Sequence, residues 1–229
     1  MLTLSTIKQH NNDSVPSRRS QPRLPKTKPY HHGNLRRALL DAALEIIAQK
    51  GLPALTLRAA ASKAGVSHAA PKRHFPTVTD LYCGVAEDGY RRLREYLLKR
   101  SAEQPHATSQ QSLANLGIAY VEFAIANRGR FSAMFDSLVI DRGTAHPLEA
   151  AAGAAFDVLV NAISRCQDAS EVRAGPARQL ALGAWAMVHG LAILAVDHQL
   201  ANRGFSSEDP IVLAREVTQQ LYVGLRPSL

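Results

Sequence analysis

The chain has 229 residues, 46% of them hydrophobic, 20% charged and 6% aromatic, a composition that excludes collagen-like, coiled-coil-only and wholly disordered classes. Its net charge of +8 is unevenly placed: residues 1–76 hold 13 Lys/Arg and 3 Asp/Glu, whereas residues 77–229 hold 14 and 16. A basic front end on a near-neutral body points to a polyanionic partner, nucleic acid ahead of a membrane surface.

Residues 1–29 read as a flexible basic tail with Asn11-Asn12-Asp13, several Ser and Pro, and no hydrophobic periodicity. Such a tail is either a solubilising extension or an arm that adds affinity for DNA without reading sequence. No secretory signal is expected at this end, because Met1–Ile7 is too short for an apolar core. From Asn34, a good N-cap, Leu35, Ala38, Leu39, Ala42, Ala43, Ile46 and Ile47 recur at helical spacing, and Gly51 supplies the stop. A second helix is expected from the Thr56 cap through Leu57–Ala64. Gly65 then allows a sharp turn, Val66 tucks inward, and Ser67 caps a third helix over roughly His68–His74, closed by Phe75-Pro76. Three short helices, the last two joined by a Gly-containing turn, describe a helix-turn-helix unit.

A long amphipathic segment follows from Thr77 to about Arg100. Further helices are expected at about 109–127, 129–140, 147–168, 176–200 and 209–225, with breaks at Asn127–Gly129, Gly143–Pro147, Gly175–Pro176 and Asn202–Pro210. No stretch alternates with period two, so the expected fold is all-α with about nine helices, divided as tail 1–29, head 30–76 and body 77–229. The apolar run Leu180–Val196, at 17 residues, falls short of the ~20 that a bilayer-spanning helix needs. It suits a core or a subunit interface, and the expected location is the cytoplasm, with no membrane partner. Small residues Ala181, Gly183, Ala184, Ala192 and Ala195 would permit close contact in a homodimer made by the last two helices.

The segment Thr56–Phe75 carries the chemistry. In a helix-turn-helix the first helix crosses the phosphate backbone and the second enters the major groove. Ala60, Ala61 and Ala64 are small where the helices cross. Ser67, His68, Ala69 and Ala70 are short or polar residues for base edges, and Lys72 and Arg73 are cations for phosphate or guanine. Thr56, His74 and Thr77, with Tyr30 and His31 of the preceding arm, complete the candidate DNA-contacting set.

The run Tyr30-His-His-Gly-Asn-Leu-Arg-Arg-Ala-Leu-Leu-Asp-Ala-Ala-Leu-Glu-Ile-Ile, then Gly51, Thr56-Leu-Arg, Ala64-Gly-Val-Ser-His-Ala-Ala-Pro and Arg73-His-Phe-Pro resembles the DNA-binding domain of TetR/AcrR-type bacterial transcriptional regulators. Trp185-Ala-Met-Val-His-Gly190 is similar to the Trp…His-Gly motif of one C-terminal subclass of that family. The resemblance implies a homodimer with a three-helix head on double-stranded operator DNA and a helical body that binds a small-molecule inducer. Two positions depart from the pattern: Lys72 stands where Tyr is frequent, and Val78 where Lys or Arg is usual.

Eleven of the 13 aromatic residues lie after residue 76. Core packing accounts for most such residues in a helical body. A sharper reading is an apolar ligand cavity involving Tyr120, Phe123, Phe131, Met134, Phe135, Trp185 and His189, with Tyr120 and His189 orienting the guest. Neither a phosphate loop, nor G-x-S-x-G, nor H-E-x-x-H occurs, so an enzyme is not expected. Cys83 and Cys166 have no metal-ligand spacing, and His31-His32 lacks a third ligand, so neither a metal nor another cofactor is expected.

Overall fold

A computed structural model describes residues 32–136, 147–205 and 208–227. Tyr30, His31 and the tail lie outside the described residues. Helix α1 (His32–Lys50) begins two residues before Asn34, which therefore does not cap it. Its apolar positions are buried as their spacing requires: Leu35, Leu39, Leu40, Ala43, Ile46 and Ile47 all face one core. Gly51 ends it at φ 77°, with its N–H donated to the Ile47 carbonyl at 2.9 Å. A 3-10 turn at Leu52–Ala54 follows and is tied down by the Tyr82 hydroxyl, which donates to the Leu52 carbonyl.

Helix α2 (Leu57–Lys63) is capped by the Thr56 side chain, which accepts from the Ala59 N–H at 3.0 Å. Its exit is a Schellman turn. The Val66 N–H reaches the Ala61 carbonyl at 3.0 Å, the Gly65 N–H reaches Ser62 at 3.2 Å, and Gly65 takes φ 69°. The expected third helix is not α-helical. A turn at His68–Ala69 leads into a 3-10 stretch, Ala70–Arg73, with Ala69 at its N-cap and no side-chain cap from Ser67. Pro71 explains the difference, because it has no N–H to give the Ser67 carbonyl. That carbonyl accepts instead from Ala70, three residues on, at 3.0 Å.

Helix α3 (Val78–Ala102) starts with a capping box: the Asp80 N–H donates to the Thr77 hydroxyl, and the Thr77 N–H to the Asp80 carboxylate. Its 25 residues serve two cores in turn. Leu81, Tyr82, Val85 and Ala86 close the core made by α1, α2 and Phe75, so that packing unit extends past Pro76. Leu93 and Leu97 enter the larger core, built with α4 (Ser109–Ala126), α5 (Arg128–Met134), α6 (Pro147–Asp168), α7 (Ala177–Val196) and α8 (Pro210–Leu225). The helix expected at 129–140 is thus α5, which ends at Met134, while residues 137–146 lie outside the described set. The described residues hold eight α-helices and no strand.

At 20 residues, α7 is long and apolar enough to cross a bilayer by length and composition alone, but it packs in the core against α4, α6 and α8. Ala181, Ala184, Ala192 and Ala195 are buried within the chain, so those small residues serve its own packing. The outward face carries Gly183, Ala186, Gly190 and the exposed Leu182 (53%) and Met187 (40%), and α8 adds Val212 (41%) and Val223 (59%).

Helices α4 and α8 meet at Gly117, where an added Cβ would lie 2.5 Å from Cγ2 of Thr218 and 3.2 Å from Cγ1 of Val188. Gly117→Ala is therefore expected to cost about 1–3 kcal/mol of stability and so to lower the melting temperature, despite alanine's better helix propensity. Thr218→Ser removes the clashing methyl and keeps the hydroxyl that donates to the Arg215 carbonyl at 2.9 Å. The double variant should melt above Gly117→Ala, as calorimetry of the three proteins would read.

Candidate functional site

The described candidate DNA-contacting residues form one solvent-facing segment. Thr56, Ser67, His68, Ala69, Lys72, Arg73 and Thr77 are exposed, Ala70 and His74 half-buried. Pro71 and Phe75 are buried and fix the segment to α1 and α3. An edge of Phe75 fills the space beside Gly84, where a Cβ would come within 2.7 Å of the ring. Arg36 lies over the same ring at 5.6 Å. Two of the set also do structural work: Thr56 caps α2 and Thr77 belongs to the α3 capping box.

Ion pairs join this head to the body. The Asp88 carboxylate of α3 takes Arg37 of α1 at 3.7 Å, Arg92 at 2.8 Å and Arg130 of α5 at 3.2 Å. Glu87, its neighbour, takes Arg36 at 3.1 Å and Arg91 at 2.7 Å. Close approach at this junction depends on Gly89: a Cβ there would lie 2.6 Å from Cγ of Met134 and 3.1 Å from Cγ of Arg130.

Beyond the junction lies an apolar cavity of about 310 Å³ lined from α3, α4, α6, α7 and α8, with Phe135 just past α5. Of the predicted ligand residues, Tyr120, Phe135 and Trp185 line it. Phe123, Phe131, Met134 and His189 do not, and pack behind that wall. Phe131 and His189 stand against Phe135 at 5.0 and 4.3 Å between ring centroids. The sequence reading missed Tyr90, Leu93 and Leu97 of α3, along with Leu113 and Leu116 of α4 and Leu159 of α6. In sequence they are simply apolar or aromatic residues of expected helices, and that pattern does not separate core from cavity wall.

The polar atoms near the wall are already paired. The Trp185 Nε1–H donates to the Tyr120 oxygen at 3.1 Å, and that hydroxyl lies 2.8 Å from Nδ1 of His189. All three groups are satisfied when the Tyr120 hydroxyl donates to Nδ1 and His189 is neutral, with its proton on Nε2. Burial favours the same state, pushing the Tyr120 hydroxyl up and the His189 imidazole below its ordinary 6.5. The Tyr90 hydroxyl donates to the Met134 carbonyl at 3.1 Å, and burial raises it to about 12.

Comparison with known proteins finds two family models in this chain. The one described as bacterial regulatory proteins, tetR family, matches residues 39–82, and a tetracyclin repressor-like C-terminal domain matches 113–221. The latter range contains the Trp185–Gly190 motif. A solved protein of unknown function from Rhodococcus sp. RHA1 is 34% identical, with TM-score 0.75, covering 87% of this chain and 99% of its own. A tetR-family regulatory protein from Rhodococcus RHA1 shares the fold at 18% identity and TM-score 0.63, over 85% of this chain and 98% of its own. FadR from Bacillus subtilis, solved in complex with stearoyl-CoA, shares it at 14% identity and TM-score 0.65, over 83% and 99%. No curated protein matches the chain.

The depressed pKa of His189 sets a pH dependence. Between that value and 6.5 the unfolded chain binds more protons than the folded one, so stability rises with pH in this window. It is fully present above 6.5 and is lost as pH falls through the folded value. In His189→Asn, whose side-chain oxygen can still accept from Tyr120, this contribution to the slope should vanish. Urea melts between about pH 5 and 7.5 would read it.

Proposed function

The chain belongs to the TetR family of DNA-binding bacterial transcriptional regulators, and on that premise we propose that it is a repressor, binding a pseudo-palindromic operator as a homodimer and leaving it when a small, largely apolar molecule enters the body. The proposed division is a tail at 1–29, a DNA-binding head at 30–76 and a ligand-binding and dimerising body at 77–229, at work in the cytoplasm. The observation that carries this reading is the continuity of α3. One helix places Leu81 and Val85 in the same core as Phe75, which follows the Ser67–Arg73 segment, and Tyr90, Leu93 and Leu97 on the cavity wall.

In the head, the turn at Ser67–Ala70 brings short side chains toward base edges, while Lys72 and Arg73 supply cations. The half-buried His74 and the exposed Thr56 join that set, as do Tyr30 and His31 of the sequence before α1. In the body, the exposed apolar face of α7 and α8 supports an isologous interface with a second copy. Two heads so held would read half-sites one turn or a multiple apart. That B. subtilis FadR, of the same fold, is in complex with stearoyl-CoA supports a ligand-carrying body.

An effector shifts this equilibrium only through its different affinity for two body conformations. A ~100-fold loss of operator affinity corresponds to about 2.7 kcal/mol of coupling. A small tilt of α3 would change the spacing of the two heads and spoil simultaneous engagement.

Footprinting on DNA upstream of the protein's own gene should show one short protected palindrome; diffuse protection would mark an architectural protein instead. Arg73→Ala should weaken binding across sequences and reduce the salt slope by about 1. Ser67→Ala or His68→Ala should mainly alter the preferred bases. Deleting residues 1–25 should flatten the salt dependence and leave the preferred operator unchanged. Compounds that stabilise the body in thermal-shift assays should release this operator; if none does, the sensor reading fails.

A further inference from the structure

The wall of the cavity says which class of guest it takes. Among the described residues, those lining it are aliphatic or aromatic, with neither a charged side chain nor a histidine. Its Tyr120 and Trp185 polar atoms are spent on each other and on His189, and the Tyr90 hydroxyl on the Met134 carbonyl. A guest demanding a strong hydrogen bond would have to break one of these pairs, leaving a buried group unsatisfied. An anionic group held against this wall would meet no cation and would give up hydration, although the cavity opens toward solvent beside the exposed Leu182. Burial already disfavours both signs of charge next to this wall, since it raises Tyr120 and lowers His189.

Size narrows the class further. At about 310 Å³ the cavity is roughly twice a ~150 Å³ apolar cavity that stays dry and admits benzene. Room for two benzene-sized bodies corresponds to about a dozen non-hydrogen atoms. The wall offers both aromatic and aliphatic surface, with Phe156 set edge-on to Trp185 at 6.1 Å and Leu93, Leu97, Leu113 and Leu116 alongside.

We propose that the cavity binds a neutral, hydrocarbon-rich molecule of about a dozen non-hydrogen atoms, a medium-length aliphatic chain or a two-ring compound, and rejects the carboxylate of the same skeleton. The inference rests on the reading of this cavity as the effector site. It separates the guest from a long acyl thioester, which is larger and carries a polyanionic head.

The chain has one tryptophan, Trp185, and it lies on the wall, so intrinsic fluorescence reports occupancy directly. The full-length protein is titrated at about pH 8, where a carboxylate is ionised, with 1-decanol and with decanoate, both optically silent. Decanol should change Trp185 emission and bind at least about 100-fold more tightly than decanoate. Gly153 lines the cavity and an added Cβ there meets nothing within 4 Å, so Gly153→Phe should fill the space and keep the fold. Decanol binding should then be lost, with the circular dichroism and melting temperature retained. A second filler, Ala152→Leu, decides the matter should the first misfold. Equal binding of alcohol and carboxylate, no binding of either, or undiminished binding to a folded filled variant overturns the ligand class. Decanol that binds as stated but leaves operator affinity untouched counts against the sensor reading and leaves the ligand class standing.

Discussion

Three helices meet at the carboxylate of Asp88. It sits on α3 with guanidinium groups from α1, α3 and α5 around it, its side chain 17% exposed and that of Arg130 only 13%. Exposed ion pairs contribute little, but a partly buried one is costly to break because the surviving charge is left in a poor solvent. The cluster holds only if α5 lies close to α3, which Gly89 permits, and close to α1, where a Cβ on Gly129 would meet Ala48 at 3.7 Å. Helix α5 is therefore clamped between the head and the cavity. Phe135, which follows it, is on the cavity wall, and Arg130 is in the ion cluster. The cavity wall thus touches the head-bearing α3 directly through Tyr90, Leu93 and Leu97, and a second time through α5 and the ion cluster.

Beside the cavity, the polar groups of Trp185, Tyr120 and His189 are satisfied among themselves. Trp185, Tyr120 and His189 come from α4 and α7, and their hydrogen bonds fix the two helices against each other beside the cavity. Ring contacts extend the same rigidity: Phe131 meets Tyr120 at 5.7 Å, and Phe135 meets Trp185 at 6.1 Å. An unsatisfied polar group in this wall would draw in water and turn the cavity into a hydrated pocket.

Much of the fold was legible because helical periodicity and capping are local properties. Thr56, Gly65, Thr77 and the apolar rows of α1 could be read from neighbours a few residues apart. The recognition segment was misread for an equally local reason, since Pro71 removes the one donor an α-turn from Ser67 needs. The cavity was less legible. Phe131 and Phe135 have the same chemistry, yet one is core and the other wall, and only the crossing of several helices decides which. The same applies to α7, whose apolar residues are divided among core, cavity and an outward face: Ala192, Trp185 and Met187 are each read as simply apolar in sequence.

The start of α3 shows how one local choice redistributes work over the head. A helix N-terminus attracts phosphate through its dipole and its unpaired N–H groups. Here Asp80 brings a carboxylate to that terminus, and the capping box uses the N–H groups of Thr77 and Asp80. Val78, where the resemblance calls for Lys or Arg, packs half-buried against the head core instead of offering a cation. The described contacts at this terminus serve helix capping. Cations are plentiful elsewhere in the basic third of the chain: Lys72 and Arg73 are exposed, and residues 1–29 hold six further cations against one acidic residue. On the proposed reading, that charge would add long-range, salt-sensitive attraction, and the fixed turn at Ser67–Ala70 would select the bases.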